Sequence, residues 1–246
     1  MKMLGYMVYF DMKIVLENPQ EEAKFLKKVH QMVFEFAGDG NLNVQIRNSW
    51  THANLSFIHK ALPSEDEYLA QESLIISVNY SLSSKEKVSS NGLRSLGYFL
   101  QQVDVKVLEQ KTLATLRKSS QQLHRLSSAL GPRPLTLDTL ILIIQESLES
   151  KSPKIAWNSC VALANILDNK TLTGSEVLFS KKSVQPLLKA LEQNANFKTK
   201  IHAASTLEKF TQHIHTFEED SLYLNTWTTL VNTLEQHNKA VYSTQD

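Results

Sequence analysis

The side chains in this sequence best suited to holding another polypeptide are two carboxamides, Asn54 and Asn165. An amide donates and accepts at once, which matches the alternating N–H and C=O groups of an extended chain. Asn54 follows Trp50 by four residues, and the corresponding pairs elsewhere are Arg94 with Tyr98, Val161 with Asn165, and Ser205 with Lys209. Four residues is about one helical turn, so both members of each pair would project from one face of a helix. Trp50, Asn54, Tyr98 and Asn165 form the candidate protein- or peptide-binding set. The same residue types also serve stacked helices, with Asn54 and Asn165 as polar contacts between neighbouring units and Trp50 as core.

Other groups make a weaker case for chemistry. His213 and His215 lie near Glu218 and Glu219, but residues two apart on a helix point in different directions, which is a poor start for a metal site. The single cysteine, Cys160, sits among apolar residues at helical spacing, where a free thiol behaves as a small hydrophobe. Without a second cysteine there is neither an intramolecular disulfide nor a thiolate zinc cluster. Trp157 and Phe197 read as packing residues. The sequence holds no glycine-rich phosphate loop, Gly-x-Ser-x-Gly elbow or His-Glu-x-x-His helix. A noncatalytic chain is expected, with no cofactor and no metal.

The elements that must position the candidate set recur along the chain. Helix-sized copies of one pattern begin at Val44, Val88, Ile155 and Thr199, at spacings of 44, 67 and 44 residues, the middle one being a 44-residue period plus a 23-residue insert. In the third copy Ile155, Cys160, Leu163, Ile166 and Leu167 share one face of a helix. Val88, Leu93, Leu96, Phe99 and Leu100 match them in the second copy, and Ile201, Ala204, Leu207 and Phe210 in the fourth. The first copy supplies Val44, Ile46, Ser49, Ala53 and Leu55, and has His52 where the others have leucine. A second amphipathic stretch precedes each copy, at about 21–37, 66–82, 136–149 and 183–194. One helix pair cannot bury its own apolar face and needs a stacked neighbour, so this period predicts an all-α fold, an α-solenoid of HEAT/armadillo-type helical repeats.

Residues 1–19 fit no repeat and end at Asn18-Pro19, a helix-start signal. The solenoid is expected over 20–240: about four repeats, with helix pairs at 21–37 and 42–60, 65–82 and 86–102, 136–149 and 153–168, and 176–194 and 197–214. A last helix from Leu222 to Gln236 carries Trp227, Leu230, Val231 and Leu234 on one side. Ser64 and Glu67 have capping-box spacing. The insert, near 104–134, has leucines at 108, 113, 116, 123 and 126, which predict an added helix closed by Gly131-Pro132-Arg133-Pro134 and acting as a hinge. Terminal repeats of a solenoid normally carry a polar outer face. Its lack at both ends predicts a fragment or short isoform of a longer protein, and self-association through the exposed terminal repeats.

Composition sets further bounds. Lys plus Arg total 26 against 25 Asp plus Glu, a net charge of +1, which gives no electrostatic case for a nucleic-acid partner. Seven glycines and six prolines are few for an all-β chain with many turns. The apolar opening Met1 to Phe10 is interrupted by Asp11 and Lys13 with no small-residue cleavage site, unlike a secretory signal. The strongest internal apolar run, Leu140 to Ile144, is far short of the roughly 18 residues of a membrane helix. With a single cysteine as well, an intracellular protein is expected, cytoplasmic and/or nuclear, with no membrane partner.

Two resemblances add to this reading. Lys154 to Asn165 (KIAWNSCVALAN), Asn196 to Ala204 (NFKTKIHAA), Trp227 to Leu234 and Leu93 to Leu100 resemble the C-terminal armadillo-like region of the HEAT repeat-containing protein 6 family, over roughly 40 to 240. That resemblance implies an armadillo-type superhelix without catalytic residues. Trp50-Thr51-His52-Ala53-Asn54 is similar to the Trp-x-x-x-Asn ladder of armadillo adaptors that carry nuclear-import peptides. In those adaptors the asparagine holds a peptide backbone. Here asparagine stands in two of the four positions and tryptophan in one.

The function expected is a noncatalytic protein-interaction scaffold that presents a curved helical-repeat surface to a protein or extended peptide. The alternatives are a nuclear-transport-type adaptor and a regulatory subunit of an enzyme complex. An adaptor for basic signals would need an acidic face, whereas the charges along this sequence are evenly mixed.

Overall fold

A computed structural model describes residues 19–58, 67–102, 136–172, 177–193 and 195–213, with six further positions between 224 and 235. The secondary structure among them is helical: α1 Pro19–Phe36, α2 Leu42–Ile58, α3 Glu67–Ser81, α4 Glu86–Gln102, α5 Leu137–Leu148, α6 Pro153–Leu167, a 3₁₀ turn Lys170–Leu172, α7 Lys181–Gln193 and α8 Phe197–Thr211. Local chemistry starts several of these helices. The side chains of Thr136, Ser152 and Asn196 accept from the backbone N–H three residues on, capping α5, α6 and α8, and Pro153 takes the first turn of α6, where its missing N–H costs nothing. Ser64, the expected insert helix and its Gly-Pro closure, and residues 1–18 lie outside the described residues.

The helices form two layers. The second helix of each pair packs on the next in chain order, α2 on α4, α4 on α6 and α6 on α8, and α4 against α6 is the most extensive of these contacts. Among the first helices α1 meets α3 and α5 meets α7, but among the described residues no comparable packing joins α3 to α5. Among the described residues one layer is therefore interrupted between α3 and α5 while the other runs through. Two glycines let α4 sit at the centre: a Cβ on Gly92 would come within 2.7 Å of the Tyr80 Cβ on α3, and one on Gly97 within 2.7 Å of the Ala162 Cβ on α6.

The apolar core divides in two. A large cluster runs from Leu74 and Leu96 through Ile144 and Leu163 to Leu187, Leu207 and Phe210. A smaller one gathers Leu26, Val29, Val33, Leu55, Ile76, Tyr80 and Val88 around α1 and α2. Hydrogen bonds tie successive repeats with the period of the sequence. The last carbonyls of a helix have no partner within it, and here the next repeat supplies one. Gln102 donates to the Ser56 carbonyl (3.4 Å), Asn169 to that of Leu100 (2.6 Å) and His213 Nε2 to that of Leu167 (3.2 Å). His213, whose spacing from His215 argued against a metal site, thus serves as an interrepeat tie; His215, Glu218 and Glu219 lie outside the described residues.

Candidate protein-binding face

The layer of second helices carries the four candidate residues, Asn54, Tyr98 and Asn165 at one equivalent position of successive units and Trp50 one turn before Asn54 on α2. Trp50, Tyr98 and Asn165 are half-buried, whereas Asn54 is only 4% exposed. The Asn54 carbonyl oxygen accepts from the guanidinium of Arg94 at 2.7 Å, and Arg94 stands where Trp50 stands one repeat earlier. The Asn54 amide therefore orients an arginine across the interrepeat joint. Tyr98 packs its ring 5.1 Å from that of Phe57, itself 54% exposed. Asn165 keeps its amide nitrogen buried without a hydrogen-bond partner. The row ends at Lys209, whose ammonium donates to both Asp168 oxygens (2.6 and 2.7 Å) and to the Ala164 carbonyl (3.2 Å). Gln101 on α4 also reaches Asp168, at 3.0 Å. Side chains from α2, α4, α6 and α8 thus line one surface, joined in two groups, Asn54 with Arg94 and Gln101 with Asp168 and Lys209.

Charge is sorted by layer, contrary to the even mixture along the sequence. The second helices carry Arg47, Lys87, Arg94, Lys154, Lys198, Lys200 and Lys209 against Glu86 and Glu208, seven positive and two negative. The first helices carry Lys24, Lys27, Lys28, Lys181, Lys182 and Lys189 against Glu21, Glu22, Glu35, Glu67, Glu72, Asp138, Glu146 and Glu192, six and eight. A near-zero total conceals a basic layer. The asymmetry comes from the scarcity of acidic residues on the second helices, two against eight on the first.

The start of α8 holds a residue that sequence reasoning misread. Phe197, expected in packing, is 65% exposed, and Ile201 one turn further along α8 is 50% exposed. Trp157 on α6 is half-buried, with the Lys198 ammonium 4.1 Å from its ring centroid. Burial first, and then the Lys198 charge, holds His202 below its ordinary value.

The remaining reactive groups are closed off. His52 Nε2 contacts the Ser73 carbonyl (3.1 Å) and the Ser77 hydroxyl (3.0 Å). Ser95 links Ser77 to Ser56, each at 2.7 Å, in a fully buried hydroxyl chain. A histidine beside serines is here the polar filling of an interhelical joint at a position where other repeats have leucine. Burial pushes the Cys160 thiol up to about 12, which keeps it protonated and unreactive at neutral pH. Among the described residues no three His, Cys, Asp or Glu side chains group closely enough to hold a metal ion, and no helix is long and apolar enough to cross a membrane.

Stacked helix pairs with one layer running through every repeat define an α-solenoid of the HEAT/armadillo type. No family model matches the chain. Among solved structures it is similar to the archaeal HEAT-like repeats protein from Thermococcus onnurineus NA1 (18% identity, TM-score 0.33, covering 95% of this chain and 96% of that one). It is also similar to computationally designed armadillo repeat proteins for modular peptide recognition (17% identity, TM-score 0.30, 84% and 99%). An engineered protein aligns at 14% identity with TM-score 0.30, covering 87% and 98%.

Proposed function

We propose that this chain is a noncatalytic scaffold that binds a protein segment along its second-helix layer, with a repeat of the kind found in the HEAT repeat-containing protein 6 family. The observation that carries this reading is the register of the row. Trp50 and Asn54, Arg94 and Tyr98, and Asn165 stand at equivalent positions of helices packed in chain order. In stacked repeats, equivalent positions point the same way and build a long surface. Trp50, Tyr98 and Asn165 are the contact residues in this reading, and Asn54 is a positioning residue that holds Arg94.

Selection of a random displayed peptide library against the full chain tests it. Binders are expected, and replacing Trp50 and Tyr98 together by alanine should weaken them by about 1 to 3 kcal/mol per buried contact, roughly tenfold or more, with helicity retained. Failure to select any peptide, or binders indifferent to both aromatics, would overturn the assignment. A receptor for basic signals is disfavoured by the sign of the layer's charge. A regulatory subunit of an enzyme complex would use the same face, with the enzyme supplying the bound segment.

A further inference from the structure

We infer that the segment received by this face is acidic, an extended peptide whose carboxylates meet a row of lysines and whose apolar anchor seats on Trp157, Phe197 and Ile201. This deepens the scaffold reading and rests on it. Lys87, Lys154 and Lys198 each precede the start of a repeat copy by one residue, so they occupy one register on α4, α6 and α8. Lys87 and Lys198 are exposed and Lys154 is half-buried. Packed helices lie about 8 to 10 Å apart, and an extended chain advances about 3.3 Å per residue. A strand crossing the three helices therefore passes a lysine about every third residue.

Beside that row, Trp157 and Ile201 share a second register, three residues further along α6 and α8. Phe197 and Lys198 flank them, with the Lys198 ammonium against the Trp157 ring. The ledge therefore offers an apolar seat bordered by positive charge, and its complement is an aliphatic or aromatic side chain flanked by Asp or Glu. A nucleic acid suits the face less well. Glu86 next to Lys87 and Glu208 next to Lys209 interrupt the positive surface that an unbroken run of phosphates requires.

The displayed-library selection, repeated on a Lys154→Glu/Lys198→Glu variant of the full chain, tests this inference. Peptides selected on the unaltered protein should be enriched in Asp and Glu around an apolar residue. They should lose at least tenfold in affinity on the charge-reversed variant and weaken as salt rises. Neutral or basic winners that still depend on Trp50 and Tyr98 would overturn the acidic partner and leave the scaffold standing, whereas an empty selection would overturn both. A fluorescein-labelled single-stranded oligonucleotide that binds more tightly than the selected peptides, and is released by the same charge reversal, would also overturn it in favour of nucleic acid. Circular dichroism checks that the variant is folded, and Lys154→Gln/Lys198→Gln, which should lose less affinity in the same direction, replaces it if it is not.

Discussion

The joint between the first and second repeats and the joint between the third and fourth solve one stacking problem with different chemistry. Between α2 and its neighbours the contact is largely polar. Asn48 bonds the Val33 carbonyl (2.9 Å) and the Tyr80 hydroxyl (2.6 Å), Asn91 bonds Ser49 (3.1 Å), and the His52, Ser77, Ser95 and Ser56 chain fills the middle. Between α5, α6, α7 and α8 the contact is a wall of Ile144, Leu163, Leu187, Leu207 and Phe210, with Phe179 edge-on to Phe210 at 6.0 Å. Its buried polar ties include Gln145 to Ser183 (2.6 Å) and Thr206 to the Cys160 carbonyl (2.9 Å), with Lys209 to Asp168 and His213 to the Leu167 carbonyl nearer the surface. Apolar contacts tolerate sliding, whereas a buried hydrogen-bond chain is stabilising in one register and costly in others. The N-terminal joint is therefore the more specific of the two and the more easily lost.

Alkaline pH should separate the joints with the largest effect. Burial raises the Cys160 thiol, in the C-terminal core, from 9.0 to about 12. Burial, partly offset by the Asn48 hydrogen bond, raises the Tyr80 hydroxyl, in the N-terminal joint, from 10.0 to about 12. Both groups fold as neutral acids, so their contribution is complete below the unfolded values and is lost as pH rises toward the folded ones. At about 1.4 kcal/mol per pH unit the thiol's share is of order 4 kcal/mol and the phenol's of order 3 kcal/mol. Chemical denaturation across this range should show stability falling from about pH 9, and Cys160→Ala should delay the onset until about pH 10, where Tyr80 begins to titrate. An unchanged onset would remove the thiol from the explanation.

Gly97→Val attacks the α4/α6 contact on which both regions depend. Its added carbons would enter Ala162 on α6, so a loss of about 3 kcal/mol or more is expected in urea titration. A loss below about 1 kcal/mol would mean that the helices separate without consequence. The smallest effect isolates the polar joint. Ser95→Ala breaks the link between Ser77 and Ser56 and should cost about 1 to 2 kcal/mol. Amide exchange should then accelerate in α1 and α2 and stay unchanged in α7 and α8; uniform acceleration would show that the joints do not differ in cooperativity.

The sequence by itself determined the helices and their pairing. Apolar spacing and cap residues are local properties, and expected helices such as 86–102 and 153–168 meet α4 and α6 almost residue for residue. The same pattern identified Cys160 as a core residue and placed Asn54, Tyr98 and Asn165 in one register, with Trp50 one turn before Asn54. Tertiary structure alone decided what those residues touch. The use of the Asn54 amide depends on Arg94, 40 residues away, and that of His213 on a carbonyl 46 residues away, partners that only the stacking of one repeat on the next brings opposite. Phe197 carries a packing residue's chemistry but lies exposed at the edge of α8. Periodicity reports which side of a helix is apolar. What lies across from that side is a property of the assembled solenoid, because it depends on the offset and spacing between repeats.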